Sequence, residues 1–169
     1  MVVIVSLVHF VLAPGVVVGL GPWLLTGWQS RDPAWSGALQ IVGWAMVVAG
    51  VAVVALSFVR FVTEGMGTPA PVVPTRNLVV GGFYRYVRNP MYVAVVAAIA
   101  GQALVLSRVV LLVYAGVVWL TVAAFVRWYE EPALRSRFGV GYDEYCRAVP
   151  AWRPRLRPWT PAATPRDQP

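Results

Sequence analysis

Two short stretches of this chain hold most of the side chains able to do chemistry. The first, YRYVRNPMY at residues 84–92, packs arginine, tyrosine and an Asn-Pro pair directly before an apolar run. The second, YEEPALRSRFGVGYDEYC at residues 129–146, opens on adjacent glutamates and carries two further tyrosines. Nucleophilic hydrolysis is poorly served, because the single cysteine, Cys146, and the single histidine, His9, lie in different regions and form no Cys–His pair. The same scarcity leaves no zinc or iron ligand cluster, and one cysteine excludes an internal disulfide. Without a lysine, a Gly-Lys phosphate loop is impossible. What survives is chemistry done mostly by a bound cofactor and by positioning.

The elements that must position these residues are set by composition. The chain is 59% hydrophobic and 12% charged, with a mean hydropathy of +0.66, which is integral-membrane rather than soluble usage. Four apolar runs stand out: Val2 to Leu25, Ala38 to Val59, Met91 to Leu106 and Val109 to Val126. A span needs roughly 17 to 25 residues, so the first two fit comfortably and the last two only just. The expected fold is an all-α integral membrane protein with about four transmembrane helices and a cytoplasmic, cofactor-binding C-terminal segment. Only Ser107 and Arg108 separate the last two runs, which forces an antiparallel hairpin. The hairpin brings Tyr84, Arg88, Asn89 and Tyr92 towards Glu130, Glu131, Tyr142 and Tyr145 as one polar pocket.

All fourteen basic residues are arginine. If the loop from Arg60 to Asn89 is cytoplasmic, twelve arginines lie inside and only Arg31 and Arg108 outside, and the positive-inside rule selects that arrangement. Both termini are then cytoplasmic, in a bacterial-type inner membrane. The net charge of +7 is explained by insertion bias and anionic lipid, and nucleic acid is not an expected partner. The first run lacks a basic flank and is too long for a signal peptide, so it reads as an uncleaved helix, with His9 as a hydrogen-bonded packing residue.

The expected organisation is an N-terminal transmembrane hairpin at 1–63, a catalytic region at 64–158 and a disordered tail at 159–169. Within the catalytic region, TEGMGTPAPVVPTRNLVV is a long Gly/Pro-broken loop. Pro132 either kinks the emerging helix or starts a new one. By spacing alone, Arg127 and Arg135 flank Glu131 at i, i+4 as an ordinary solvated ladder, and this reading is favoured over a ligand role. VPAWRPRLRPW suits an extended segment at headgroup level, better read as a surface-bound tail than as a lid. Gly43 and Gly50 serve helix contacts between copies or within one chain, and the oligomeric state stays open.

The set GTPAP, LVVGGFYRYVRNPMY and YEEPALRSRFGVGYDEYCRAVP resembles the isoprenylcysteine carboxyl methyltransferase family, integral membrane enzymes related to phospholipid methyltransferases. The resemblance runs from Phe61 to Pro158. It implies S-adenosylmethionine as methyl donor, with S-adenosylhomocysteine as product, bound at the cytosolic face. Carried over by position, Tyr84, Arg88, Asn89, Pro90 and Tyr92 match the first motif. Glu130, Glu131 and Leu134 match the second, and Phe138, Gly139, Tyr142 and Tyr145 the segment beyond. Arg88 and Glu130 are the expected catalytic residues. Arg88 suits a carboxylate, the glutamates suit ribose hydroxyls or an ammonium, and the tyrosine rings suit adenine or the sulfonium. Many relatives carry histidine where this chain has Asn89, so that position is no general base here. Many also have glycine at Ala94, where packing against the cofactor is altered.

The expected reaction is in-line transfer to a lipophilic small-molecule or lipid substrate arriving from the bilayer. A prenylated or other lipophilic carboxylate comes first, a phospholipid amine second and a small thiol third. The competing class is a non-enzymatic membrane scaffold whose arginine-rich tail binds lipid; it leaves the paired glutamates unexplained.

Overall fold

Residues 14–31, 37–65 and 77–160 are described in the structure, a computed structural model, and all of their regular elements are helical. Helix α1 covers Gly15–Thr26 and begins with a π-helical stretch, Gly15–Leu20. Helix α2 runs Gly37–Gly65, longer than the apolar run from Ala38 to Val59 because no residue breaks it before Gly65. A 3-10 turn at Gly82–Arg85 leads to α3, Pro90–Leu106. Helix α4, Val109–Phe125, passes through a π-helical turn at Val126–Glu130 into α5, Glu131–Phe138, and α6 follows at Val140–Ala148.

The expected hairpin is present. Ser107 closes α3 in the left-handed conformation at φ 54°, the place where helix C-termini usually put glycine, and the Arg108 N–H reaches back to the Ala103 carbonyl at 3.0 Å. Two ties clasp this end to the segment that follows α1: Arg108 Nε donates to the Gln29 carbonyl at 3.0 Å, and the Arg31 N–H donates to the Leu106 carbonyl at 3.1 Å.

Small residues set how closely α2 and α3 approach. A Cβ added at Gly43 would lie 2.7 Å from the Gly101 carbonyl oxygen, and one at Gly101 would lie 2.6 Å from that of Gly43. One turn-pair further on, a Cβ at Gly50 would lie 2.8 Å from the Ala94 carbonyl. Gly43 and Gly50 therefore pack within the chain, backbone against backbone, as small residues do in membrane helix pairs. Ala94 backs onto Gly50 and is buried there.

Helix α1 docks through its irregularity. Pro22 has no N–H, and the Gly21 N–H bonds five residues back to Val16, so the Val17 and Val18 carbonyls lose their intrahelical donors. Tyr114 Oη of α4 donates to Val17 at 3.0 Å and Gln102 Nε2 of α3 to Val18 at 2.8 Å.

Two stretches, Gly37–Arg60 and Val109–Phe138, are long and apolar enough to cross a membrane; Gly15–Thr26 and Pro90–Leu106 are shorter. Large apolar side chains cover their outer faces, among them Ile41, Val48, Val113 and Leu120, each more than half exposed. Such a surface is foreign to water and natural in hydrocarbon. The first expected span is described only from Pro14 onward, so His9 lies outside the described residues.

Candidate functional site

The polar edge of the α3–α4 hairpin is built by three local devices. Gly82, at φ +55°, turns the chain into the 3-10 segment, which buries Tyr84. Pro90 occupies the first turn of α3, where its missing N–H has no helical partner to lose. The π-helical turn before Pro132, closed by the Glu131 N–H bonding to Val126, carries α4 into α5 without a break. The proline thus neither stops the helix nor starts a separate one. The extra residue in the turn lets adjacent glutamates both face inward.

Glu130 and Glu131 take different partners. Tyr92 Oη donates to Glu130 Oε2 at 3.2 Å. Glu131 Oε1 pairs with Arg88 Nη1 at 3.0 Å, and its side chain is only 12% exposed. One rung of the expected ladder forms, since Arg127 lies 3.7 Å from Glu131 Oε2. The other does not: Arg135 turns to Asp143 at 2.7 Å, on the exposed face between α5 and α6.

Arg88 is the hub. Nη1 also donates to Cys146 Sγ at 2.6 Å and approaches Tyr142 Oη at 3.4 Å. Its Nε is buried and has no hydrogen-bond partner among the described residues. A buried donor left unsatisfied is costly, and one beside a cavity suits a ligand acceptor such as a carboxylate. Tyr145 Oη donates to the Tyr84 carbonyl at 2.7 Å. Burial pushes the Tyr145 phenol well above its ordinary range against the pull of Arg88. Burial and the neighbouring Cys146 do the same to Tyr142.

Tyr84, Arg88, Asn89, Glu130, Leu134, Tyr142 and Tyr145 line one cavity of about 60 Å³. Tyr92 and Glu131 join it through Glu130 and Arg88. Pro90 contributes the helix start, Phe138 packs behind Tyr142 and Tyr145, and Gly139, at φ +52°, turns the chain between α5 and α6. The cavity is far below the roughly 300 Å³ at which small-molecule pockets begin, so in this state it has room only for a small group.

Sequence reasoning missed Cys146 as a partner of Arg88, together with the Leu78, Val79 and Val126 walls. It also missed the strap formed by residues 150–160. The Arg88 N–H donates to Pro150, the Arg155 N–H to Tyr86 and the Trp159 N–H to Arg85, at 2.9, 3.0 and 3.0 Å. Arg85 answers with Nε on the Trp159 carbonyl at 2.6 Å and Nη2 on Thr160 at 2.7 Å. Asn89 Nδ2 donates to the Ala151 carbonyl at 3.2 Å, and the Trp159 ring packs on Tyr145. The segment expected to lie on the surface is therefore bonded across the site's first motif, Trp159 and Thr160 included; residues 161–169 lie outside the described residues.

No curated protein and no solved structure shows a significant match to the chain. The family model described as phospholipid methyltransferase matches residues 38–140, from the second residue of α2 to the first of α6. The match takes in every residue of both motifs up to Gly139 and leaves Tyr142, Tyr145, Cys146 and the strap beyond its end. It covers more than half of the sequence and lies in one superfamily with the isoprenylcysteine carboxyl methyltransferases, so the chain belongs to the phospholipid methyltransferase family.

Proposed function

We propose that this protein transfers a methyl group from S-adenosylmethionine to a lipophilic acceptor at the cytoplasmic boundary of a membrane crossed by four helices. The observation that carries the reading is the convergence of Arg88, Glu130, Glu131, Tyr142 and Tyr145 on one partly formed cavity at the open end of the hairpin. The bound cofactor supplies an electrophilic methyl group on a sulfonium. Arg88 Nε would donate to the cofactor's carboxylate, and the Glu130 carboxylate would accept from an ammonium or ribose hydroxyls. The tyrosine faces would flank adenine or the positive sulfur. Binding requires the cavity walls to part, and their closure behind the ligand excludes water and fixes the line of transfer.

The charge arrangement reorders the acceptors. Arg88 already faces Glu131, so an acceptor carboxylate would have to compete for it. Among the described residues Glu130 is held by Tyr92 and by no cation. That arrangement favours an amine headgroup ahead of a lipophilic carboxylate, and a phospholipid acceptor accords with a phospholipid methyltransferase family. A carboxylate acceptor is the second reading.

Calorimetric titration of purified protein in lipid nanodiscs with S-adenosylhomocysteine tests the cofactor. Saturable binding that is lost in Arg88→Ala and in Glu130→Gln, both still folded, is the expected result. No binding by folded wild type would sink the reading and bring the scaffold forward. Transfer of labelled methyl to phosphatidylethanolamine, set against a prenylcysteine, then decides between amine and carboxylate.

A further inference from the structure

A second cavity, of about 550 Å³, runs between α1, α2 and α3, away from the polar edge. Val18 of α1, Val47 and Val51 of α2, and Val95 and Ala98 of α3 line it, with Trp28 and Trp44 at the hairpin end. The one amide side chain on its wall, Gln102, is turned to the Val18 carbonyl, so the surface offered to a ligand is almost wholly hydrocarbon. Its volume lies inside the range of ligand pockets.

Its length and position name the occupant. From Val95 to Leu106 the lining follows α3 for roughly 16 Å, about half of a hydrocarbon core of roughly 30 Å, which is the reach of one leaflet's chains. Water does not fill an apolar groove inside a bilayer, and a lipid chain is the filler that surrounds it. One end of the groove comes near the candidate site: Val95, on its wall, lies about one helical turn along α3 from Tyr92, whose hydroxyl holds Glu130. We propose that this groove seats an extended hydrocarbon chain of the methyl acceptor while the headgroup reaches the Tyr92–Glu130 edge. The inference rests on the methyltransferase reading and adds to it the part of the substrate that the polar site does not read.

The test uses phosphatidylethanolamine carrying a photoreactive diazirine in its acyl chain, in phosphatidylcholine nanodiscs, with adducts mapped by mass spectrometry. Val51→Trp fills the groove from a half-exposed position, and Val113→Trp makes the same change on an exposed face of α4. Binding of S-adenosylhomocysteine checks the fold of each variant. Adducts are expected to concentrate on the α2 and α3 segments lining the groove. They should fall about tenfold in Val51→Trp and stay unchanged in Val113→Trp. Val51→Trp should also raise the acceptor KM with cofactor affinity intact. Adducts spread evenly over all outer faces would overturn the proposal. So would groove labelling that excess phosphatidylcholine competes as well as phosphatidylethanolamine, with transfer kinetics untouched by Val51→Trp, since a resident bilayer lipid would then be the occupant. Failure of wild type to bind S-adenosylhomocysteine sinks the methyltransferase reading instead, and the labelling pattern still decides whether a chain binds the groove.

Discussion

The chain makes the same backbone move twice, with opposite results. In α1 a π-helical stretch precedes Pro22, and after α4 another precedes Pro132. At the first, Gln102 and Tyr114 take up the freed carbonyls, so the irregularity becomes a socket that fastens three helices together. At the second, no described side chain donates to the Arg127 or Trp128 carbonyls, and the extra residue instead aims Glu130 at Tyr92 and Glu131 at Arg88. The difference shows that a proline and a π turn carry no function of their own. What surrounds them decides whether the turn is a joint or a site.

The largest effect is expected from one alanine added after Glu130. The insertion rotates α5 by about 100° and carries Glu131 away from Arg88. We expect helix content by circular dichroism to persist and affinity for S-adenosylhomocysteine to fall by about a hundredfold, the loss of one or two charge-assisted bonds. Unchanged affinity would show that the second turn aims nothing. At the first turn the expected outcome is reversed: Gln102→Leu strands the Val18 carbonyl and costs about 1 kcal/mol in a denaturation series, with cofactor affinity intact. A loss of affinity there would erase the distinction between joint and site.

Smaller effects sharpen it. Tyr145→Phe removes the bond to the Tyr84 carbonyl and should lower stability by about 1 kcal/mol. The pH dependence has a definite sign. Burial holds the Tyr145 proton in the folded state, while the unfolded phenol ionises near its ordinary value of about 10. Stability is therefore complete below that pH and falls as pH rises above it, and Tyr145→Phe should flatten the alkaline slope. Arg135→Gln, which removes the exposed pair with Asp143 and the guanidinium's contact with the Tyr142 ring at 6.0 Å, should have the smallest effect, lowering stability by less than about 1 kcal/mol.

What could be read from the sequence was local. The hairpin limits at Met91 to Leu106 and Val109 to Val126 fall within a residue of the observed helices, because proline, a two-residue connection and unbroken apolar runs all act over short distances. The meeting of Tyr92 with Glu130 and of Arg88 with Glu131 followed from that hairpin alone. The strap was invisible for the opposite reason. Three of its bonds join backbone groups more than 60 residues apart, and backbone bonding of that kind leaves no pattern in side-chain types. In the sequence Cys146 is read only against a disulfide and a Cys–His pair, and its contact with Arg88 depends on the turn at Gly139 that sets the angle of α6. Asn89 sits on the cavity wall, yet its amide nitrogen is spent on Ala151, a tie that residue type could not foretell.

The strap also gives the site a birth order. The N–H of Arg88 bonds to Pro150 and the carbonyl of Arg85 to Trp159, so the first motif is finished by residues made long after it. A chain that stops short of residue 150 still has Glu131 and Cys146 for the Arg88 guanidinium, but no partner from the strap for the Arg88 N–H or the Arg85 carbonyl. The first motif is thus complete only once Trp159 has been made, more than seventy residues after Arg85.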